Sequence, residues 1–281
     1  MKKNIWIIWA AGILLLAACQ KEENKGTDSP VFSEIPNGGF ECFSHAESDK
    51  YYSLYDPASA DSTLQNKWWC TGNKGSTTLS AKYSVTMPDY EDKVEGNSSL
   101  KLASTYVVIK FAAGNVFTGE YVETNLLKGS GTINFGRPFN ERPAKLKLWL
   151  KYKSGVITEK TLNDKPAGDP VKVGDKDRAS VWIALGDWDY RLYGGTASCP
   201  VQVNTADKST FFDPYSEDVI AYGRLILEDD TDGWIQLEIP LEYRSERTPT
   251  HIIISAAASM LGDYFTGSAE SILWLDDLKL E

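Results

Sequence analysis

The segment from Ala144 to Ser154 constrains the fold most, because its side chains alternate strictly between two kinds. Leucine or tyrosine occupies every second position from 146 to 152, and lysines and one tryptophan fill the positions between them. Successive side chains of a β-strand point to opposite faces, so this pattern predicts a strand with one buried and one solvated face.

Other short apolar segments follow the same logic and are separated by turns rich in Gly, Pro, Asn and Asp. Strands are predicted at 79–86, 99–111, 116–124, 132–135, 180–185, 218–228, 233–243, 250–258 and 271–280. Roughly ten to twelve strands with almost no helical periodicity predict an all-β jelly-roll β-sandwich. No internal repeat is visible, which disfavours a propeller or solenoid. We expect one domain over residues 31–281.

The N-terminus carries the pattern of an exported protein. Two lysines precede a short apolar run from Ile5 to Leu15, and Leu16-Ala17-Ala18-Cys19 follows. This arrangement resembles a bacterial lipoprotein signal peptide over residues 1–18, cleaved before a lipidated Cys19. The alternative is an ordinary signal peptide with an incidental cysteine. Residues 19–30 are polar and predict a flexible tether, and we expect the protein at the outer membrane, exposed on the cell surface.

The charge of the chain limits its partners. The formal net charge is −10, and loss of Lys2 and Lys3 with the signal would shift it to −12. Nucleic-acid binding takes clustered Lys and Arg, so nucleic acid is disfavoured as a partner. Attraction to anionic headgroups is disfavoured for the same reason, and membrane contact is expected only through the acyl chains of the anchor.

The remaining cysteines are Cys42, Cys70 and Cys199, which allow at most one internal disulfide and leave its pairing open. No CxxC pair is present, and the two histidines, His45 and His251, are far apart in sequence. A tetrahedral zinc site is therefore disfavoured.

The closing segment, 271–280, carries the adjacent carboxylates Asp276 and Asp277 among large apolar residues. Simple alternation places Asp276 on one face with Trp274 and Leu278. A carboxylate on an apolar face needs a partner, which is a set of backbone N–H groups, a basic side chain or a cation.

Four segments together resemble a known family. They are NGGFE at 37–41, VWIALGDWDYRLYGG at 181–195, AYGRLILEDDTDGWIQLEIPLEY at 221–243 and GDYFTGSAESILWLDDLKL at 262–280. The first and last resemble the galactose-binding-like jelly rolls of carbohydrate-binding modules. The set as a whole resembles the putative carbohydrate metabolism domain (PCMD) family of bacterial lipoproteins, over Asn37–Glu281. The resemblance implies a jelly-roll fold and a role connected with carbohydrate.

The resemblance also implies a structural calcium between the first and last strands of the sandwich. The matching positions are Glu41 and Asp276, with Asp277 as the alternative. Calcium takes hard oxygen ligands, so carboxylates suit it. The competing interpretation is that Glu41 is a surface acid and Asp276 accepts backbone hydrogen bonds.

Three aromatic clusters are candidates for a saccharide site, which requires ring stacking and hydrogen bonding, and the first of them mixes rings with acids and an arginine. The candidates are Asp187, Trp188, Asp189, Tyr190, Arg191 and Tyr193 in the first cluster, Trp68 and Trp69 in the second, and Asp263 and Tyr264 in the third. The alternative in each case is that the rings cover a sheet face or plug an end of the sandwich.

These observations favour a non-catalytic, surface-anchored lipoprotein that binds a poly- or oligosaccharide beside outer-membrane polysaccharide-uptake proteins. No GxSxG, HExxH, P-loop or GxGxxG motif is present, and no catalytic residue is assigned. One alternative is a glycoside hydrolase that uses a carboxylate pair. Another is a structural or adhesive surface protein.

Overall fold

A computed structural model describes residues 34–59, 66–108 and 110–281 of the chain. The predicted signal peptide, the lipidation site Cys19 and the tether lie outside the described residues. Among the residues described, no helix is both long enough and apolar enough to cross a membrane.

Strands dominate the described residues, and short helices connect them. The strands are β1 (Trp69–Cys70), β2 (Thr86–Asp89), β3 (Ser99–Ala103), β4 (Thr105–Val107), β5 (Lys110–Ala112), β6 (Asn115–Asn125), β7 (Ser130–Phe135), β8 (Arg137–Pro138), β9 (Lys145–Lys153), β10 (Ala179–Gly186), β11 (Val201–Asn204), β12 (Val219–Leu227), β13 (Ile235–Pro240), β14 (Glu242–Tyr243), β15 (His251–Ala257) and β16 (Ile272–Leu280). The helices are α1 (Asn73–Ser76) and α2 (Tyr190–Tyr193), with 3₁₀ turns at Ala81–Tyr83, Lys208–Thr210 and Gly262–Tyr264.

Two antiparallel sheets form the jelly-roll β-sandwich that the sequence predicts. The large sheet has nine strands in the order β11-β7-β6-β15-β10-β12-β14, with β1 beside β6 and β8 beside β15. The small sheet has five strands in the order β13-β9-β16-β3-β2. Strands β4 and β5 form a separate hairpin.

The main core lies between the two sheets. Strand β9 confirms the alternation seen in the sequence, because its leucines and Tyr152 are at most 1 % exposed. The large sheet contributes Val181, Ile183 and Leu185 of β10 and Ile252 and Ile254 of β15 to the same core.

A second apolar cluster covers the outer face of the large sheet. Trp182 of β10, Phe117 of β6 and Phe135 of β7 belong to it. The segment 205–218 passes over this face and adds Phe211 and Phe212. The ring of Phe212 stacks on Trp182 with centroids 4.7 Å apart. The large sheet is therefore covered on part of both faces.

Strand β16 corrects the simple alternation expected for the closing segment. Leu273, Leu275 and Leu278 face the core, whereas Trp274 and Asp276 face outward. Asp276 pairs with Trp149 and Lys279 with Lys147, so β16 contains one residue more than β9 across this interval. The extra residue is a β-bulge at Asp277, whose φ is +49°.

Two predicted strands near the N-terminal half are different in the structure. The segment 79–86 contains a 3₁₀ turn and only the first residue of β2, and 99–111 divides into β3, β4 and β5. The division follows from Ser104, whose backbone N–H donates to Ser271 O and whose hydroxyl meets that of Ser259. Three free cysteines, Cys42, Cys70 and Cys199, leave no disulfide within the described residues.

The two ends of the domain meet. Residues 37–39 lie in a turn, and no strand follows them directly at residues 40–43. Leu278 N–H donates to Gly38 O at 2.9 Å. A Cβ added to Gly38 would lie 2.5 Å from Leu278 O, so glycine allows this close approach.

Candidate functional site

A groove of about 380 Å³ crosses the outer face of the large sheet. Its floor comes from neighbouring strands in register: Trp182 is opposite Ser255, and Ser255 is opposite Phe117. In the adjacent row Ser180 is opposite Ala257. Small side chains on the two central strands thus leave a depression between larger rings.

The walls come from loops and hairpins that rise from the sheet. The β4–β5 hairpin contributes Val107, Val108 and Phe111, and the β6–β7 connection contributes Leu126. Lys110 holds these two hairpins together, because its Nζ donates to Gly129 O at 2.7 Å. The 3₁₀ turn at Gly262–Tyr264 adds Asp263 to the lining.

Several polar groups of the groove have no hydrogen bond to any described residue. They are the hydroxyls of Ser180 and Ser255 and the carboxylate of Asp263, all of which line the groove. Polar groups inside a protein are normally hydrogen-bonded, to protein or to something else. Free hydroxyls and a free carboxylate beside half-buried rings, Trp182 and Tyr121, can hydrogen-bond and stack on a polar ligand.

The electrostatics of the groove are simple. Asp263 is exposed to the groove yet closely surrounded by protein, and this desolvation raises the pKa of its carboxyl. Desolvation lowers the pKa of Lys110, whose Nζ lies 3.4 Å from the centroid of the Phe265 ring. Asp263 is the one acid and Lys110 the one base among the described lining residues.

The first predicted cluster, Asp187 to Tyr193, does not act as one exposed surface. Trp188 is 3 % exposed and packs against Phe212 with ring centroids 6.0 Å apart. Little of its ring is therefore open to solvent for sugar stacking, and Trp188 as a saccharide-binding residue stays a prediction.

The remaining members of that cluster serve local structure. Asp189 caps α2 by accepting from Arg191 N and also pairs with the Arg191 guanidinium at 2.8 Å. These hydrogen bonds hold the pKa of Asp189 below its ordinary value. Tyr193 Oη donates to Asp218 at 2.7 Å, and Asp187 accepts from the Thr250 hydroxyl. Tyr190 keeps 42 % of its surface exposed.

Trp188 and Tyr193 also line a cleft of about 350 Å³ on the other side of Phe212. Phe212 thus separates this cleft from the groove, because it stacks on Trp182 and contacts Trp188.

The second predicted cluster is part of the core. Trp68 is 1 % and Trp69 5 % exposed, and Trp69 Nε1 donates to Pro36 O. Burial removes both ring systems from solvent, so neither can stack on a sugar.

The third predicted cluster is divided. Asp263 lines the groove, whereas the ring of Tyr264 contacts Phe211 edge-on at 5.1 Å.

The proposed calcium ligands converge on one loop, 94–97. Asp276 Oδ2 accepts from Val94 N at 2.8 Å and Glu95 N at 3.2 Å, and Glu41 Oε2 accepts from Asn97 N at 2.8 Å. The Oδ1 atom of Asp276 is buried and has no hydrogen-bond donor of good geometry. Burial raises the pKa of Asp276, and the nearby Glu41 adds to the rise.

This donor set fits a hard cation, since two carboxylates lie close together and one oxygen is unsatisfied. Among the described residues, no third acid, histidine or cysteine joins them. Backbone carbonyls or water would have to complete the coordination. Calcium at Glu41 and Asp276 stays a prediction.

Sequence reasoning missed Ser180, Trp182, Ser255 and Val108 as groove residues. The alternation of β10 and β15 contained part of the signal, because core residues at 181, 183, 252 and 254 force 180, 182 and 255 outward. The walls gave no such signal, since they come from segments distant in sequence.

Solved structures of similar fold exist. One is described as a putative glycoside hydrolase from Bacteroides thetaiotaomicron, with 22 % identity, a TM-score of 0.65, and coverage of 90 % of this chain and 72 % of that one. Another is described as a putative glycoside hydrolase from Bacteroides vulgatus, with 21 % identity, a TM-score of 0.63, and coverage of 89 % and 98 %. At this identity the likeness establishes the fold alone. A comparison with curated protein sequences found no match.

A family model supplies the stronger relation. The model of the putative carbohydrate metabolism domain matches residues 39–281, which is most of the chain and includes both sheets and the groove. The match begins at the turn that contacts β16 and ends at the last residue of the chain. The protein therefore belongs to the putative carbohydrate metabolism domain family.

Proposed function

We propose that this protein binds a saccharide in the groove on the outer face of its large sheet. The observation that carries the proposal is the set of free polar groups on the groove floor and wall, the hydroxyls of Ser180 and Ser255 and the carboxylate of Asp263. A saccharide offers many hydroxyls, which both donate to a carboxylate and exchange hydrogen bonds with serine hydroxyls. The family description, which concerns carbohydrate metabolism, supports the same class of ligand.

The aromatic lining supports the proposal independently. The C–H faces of sugar rings pack on aromatic rings, and Trp182 and Tyr121 both line the groove without being fully buried. The volume of about 380 Å³ falls within the usual range for small-ligand sites.

The groove favours binding over hydrolysis. Glycosidases generally use two carboxyl groups on either side of the scissile bond. Asp263 is the one carboxylate among the described lining residues, so the second group is not provided there. The raised pKa of Asp263 suits a general acid, which is the observation that favours the hydrolase alternative.

A glycan array and a reducing-sugar assay on the same polysaccharides test both functions. We expect binding with a Kd in the range of roughly micromolar to millimolar and no product release. Ser255→Leu should abolish binding, because the larger side chain fills the depression beside Trp182. Gln236→Leu creates a leucine on the small sheet, on β13, and should bind as the wild type does.

The two assays separate the alternatives. Release of reducing sugar that Asp263→Asn abolishes would establish the hydrolase. Binding that survives Ser255→Leu would refute the groove as the site. The absence of both binding and product release across the polysaccharides would favour the structural or adhesive role.

We further propose that the protein is a lipoprotein anchored through Cys19 to the outer membrane, facing the cell exterior. There it would deliver captured glycan to polysaccharide-uptake proteins. The order of basic residues, apolar run and Leu-Ala-Ala-Cys supports the anchor.

A further inference from the structure

The lip of the groove, at its opening, is aliphatic, whereas its floor carries serine hydroxyls. Four aliphatic lining residues lie on the hairpins and loops around the opening and form its lip: Leu79, Val107, Val108 and Leu126. Three of them are strongly exposed: Leu79 by 62 %, Leu126 by 61 % and Val108 by 56 %. Exposed aliphatic residues gathered around one opening are typical of a surface that contacts another molecule.

Val108 is also strained. It directly follows β4, with a φ of +53°. A β-branched residue rarely adopts this left-handed conformation, whereas Asn or Gly adopts it easily. The chain thus keeps an apolar side chain at the lip where a polar residue or glycine would fit the backbone better. Strained residues of this kind cluster at ligand sites.

An unsubstituted sugar does not match such a lip. Its hydroxyls would lose water against valine and leucine side chains, which offer no hydrogen bond in return. An acetyl ester replaces the hydroxyl hydrogen by an acetyl group, which removes the O–H donor and adds a methyl group. Burying that methyl against aliphatic side chains is favourable.

The charged groups of the groove indicate which class of saccharide it can bind. Lys110 is its one base among the described lining residues, and its Nζ is engaged by Gly129 O and the Phe265 ring. The carboxylate of Asp263 would repel an anionic sugar. Sulfated and uronic saccharides therefore fit poorly, and a neutral saccharide fits well.

We propose that the ligand is a neutral saccharide carrying O-acetyl groups, with the acetyl groups against the Val108 lip and the sugar hydroxyls on the floor. This inference rests on the saccharide-binding function proposed above. It assigns the lip residues a role in specificity, separate from the binding role of Ser180, Ser255 and Asp263.

The test measures affinity for acetylated glucomannan and for the same polymer after mild alkaline de-esterification. We expect the acetylated polymer to bind roughly threefold to tenfold more tightly, the effect of burying a methyl group or two. Val108→Asn should remove that preference, so that the variant binds the two polymers with equal affinity, and its melting temperature should be unchanged or higher. Leu127→Asn is the matched control, because Leu127 is fully exposed on the neighbouring hairpin and does not line the groove.

Each outcome is decisive. Equal affinity for the two polymers, both lost in Ser255→Leu, would overturn the acetyl preference and leave saccharide binding intact. A preference that persists in Val108→Asn would refute the role of the lip. Failure of both polymers and of the wider glycan array to bind would overturn the proposed function itself, and this inference with it.

Discussion

Asp276 illustrates how one residue can have two explanations that a single substitution separates. Its Oδ2 atom is held by two backbone N–H groups, while Oδ1 is buried without a partner near Glu41. A cation would satisfy Oδ1 and offset the repulsion between the two carboxylates. Without a cation, the buried charge destabilises the fold.

Asp276→Asn should therefore abolish stabilisation by calcium. For the wild type, calcium a hundredfold above its Kd adds about 2.7 kcal/mol to the free energy of unfolding. With a chelator present, the variant should melt at a higher temperature than the wild type at neutral pH. The folded-state pKa of Asp276 is raised, so the cost of its charge appears as the pH rises from about 3.9 through that value.

Melting curves from pH 4 to pH 8, with calcium and with chelator, measure both effects. Glu238→Gln on the outer face of the small sheet serves as a control. A wild-type melting temperature that is indifferent to calcium would eliminate the metal site, and Asp276 would then serve only as an acceptor for the loop 94–97.

At the scale of single elements, strand β16 contains a β-bulge, yet its leucines face the core both before and after it. Its bulge adds one residue between the positions paired with Trp149 and Lys147. Removing Asp277 would restore regular alternation and leave Leu275, Leu278 and Leu280 on the core face.

Deletion of Asp277 should thus change the free energy of unfolding by less than about 2 kcal/mol, because relief of the left-handed backbone offsets the lost ion pair with Lys279. Trp274 lies before the bulge. Its deletion should move Leu275 into an outward-facing position, and loss of this core side chain would prevent folding. Chemical denaturation of both variants measures the difference. If deletion of Asp277 lowered the free energy of unfolding as much as deletion of Trp274 does, the bulge itself would stabilise the sheet.

The strands also show which features of the fold can be predicted from the sequence. Alternation identified β9 to within one residue at each end, and the predicted segments at 180–185 and 250–258 coincide with β10 and β15. Alternation cannot reveal a bulge, so it places Asp276 on the same face as Leu278. Nor does it distinguish an exposed ring from a buried one: Trp188 is buried, and the helix α2, capped by Asp189, follows it.

At the scale of the molecule, the two sheets present different outer surfaces. On the small sheet, Lys145 and Lys151 are paired with acids, and Lys151 lies 4.1 Å from the centroid of the Trp274 ring. The charged side chains of that face are therefore largely paired with one another. On the large sheet, hairpins and the segment 205–218 build walls around free polar groups, so the walls of the candidate site arise from tertiary structure that no local pattern encodes.

The proposed location of the protein at the outer membrane depends on lipidation of Cys19. If Cys19 carries the acyl chains, growth with an alkyne-tagged fatty acid should label the wild-type protein and not Cys19→Ala. Cys42→Ala should be labelled as the wild type is, since Cys42 belongs to the folded domain. Protease added to intact cells should degrade the wild-type protein, because the proposed anchor holds the domain outside. Mass spectrometry that finds an unmodified N-terminus would contradict the anchor, and protection from protease would contradict the exposed location. Neither result would affect the groove, whose ligand binding is measured on the purified domain.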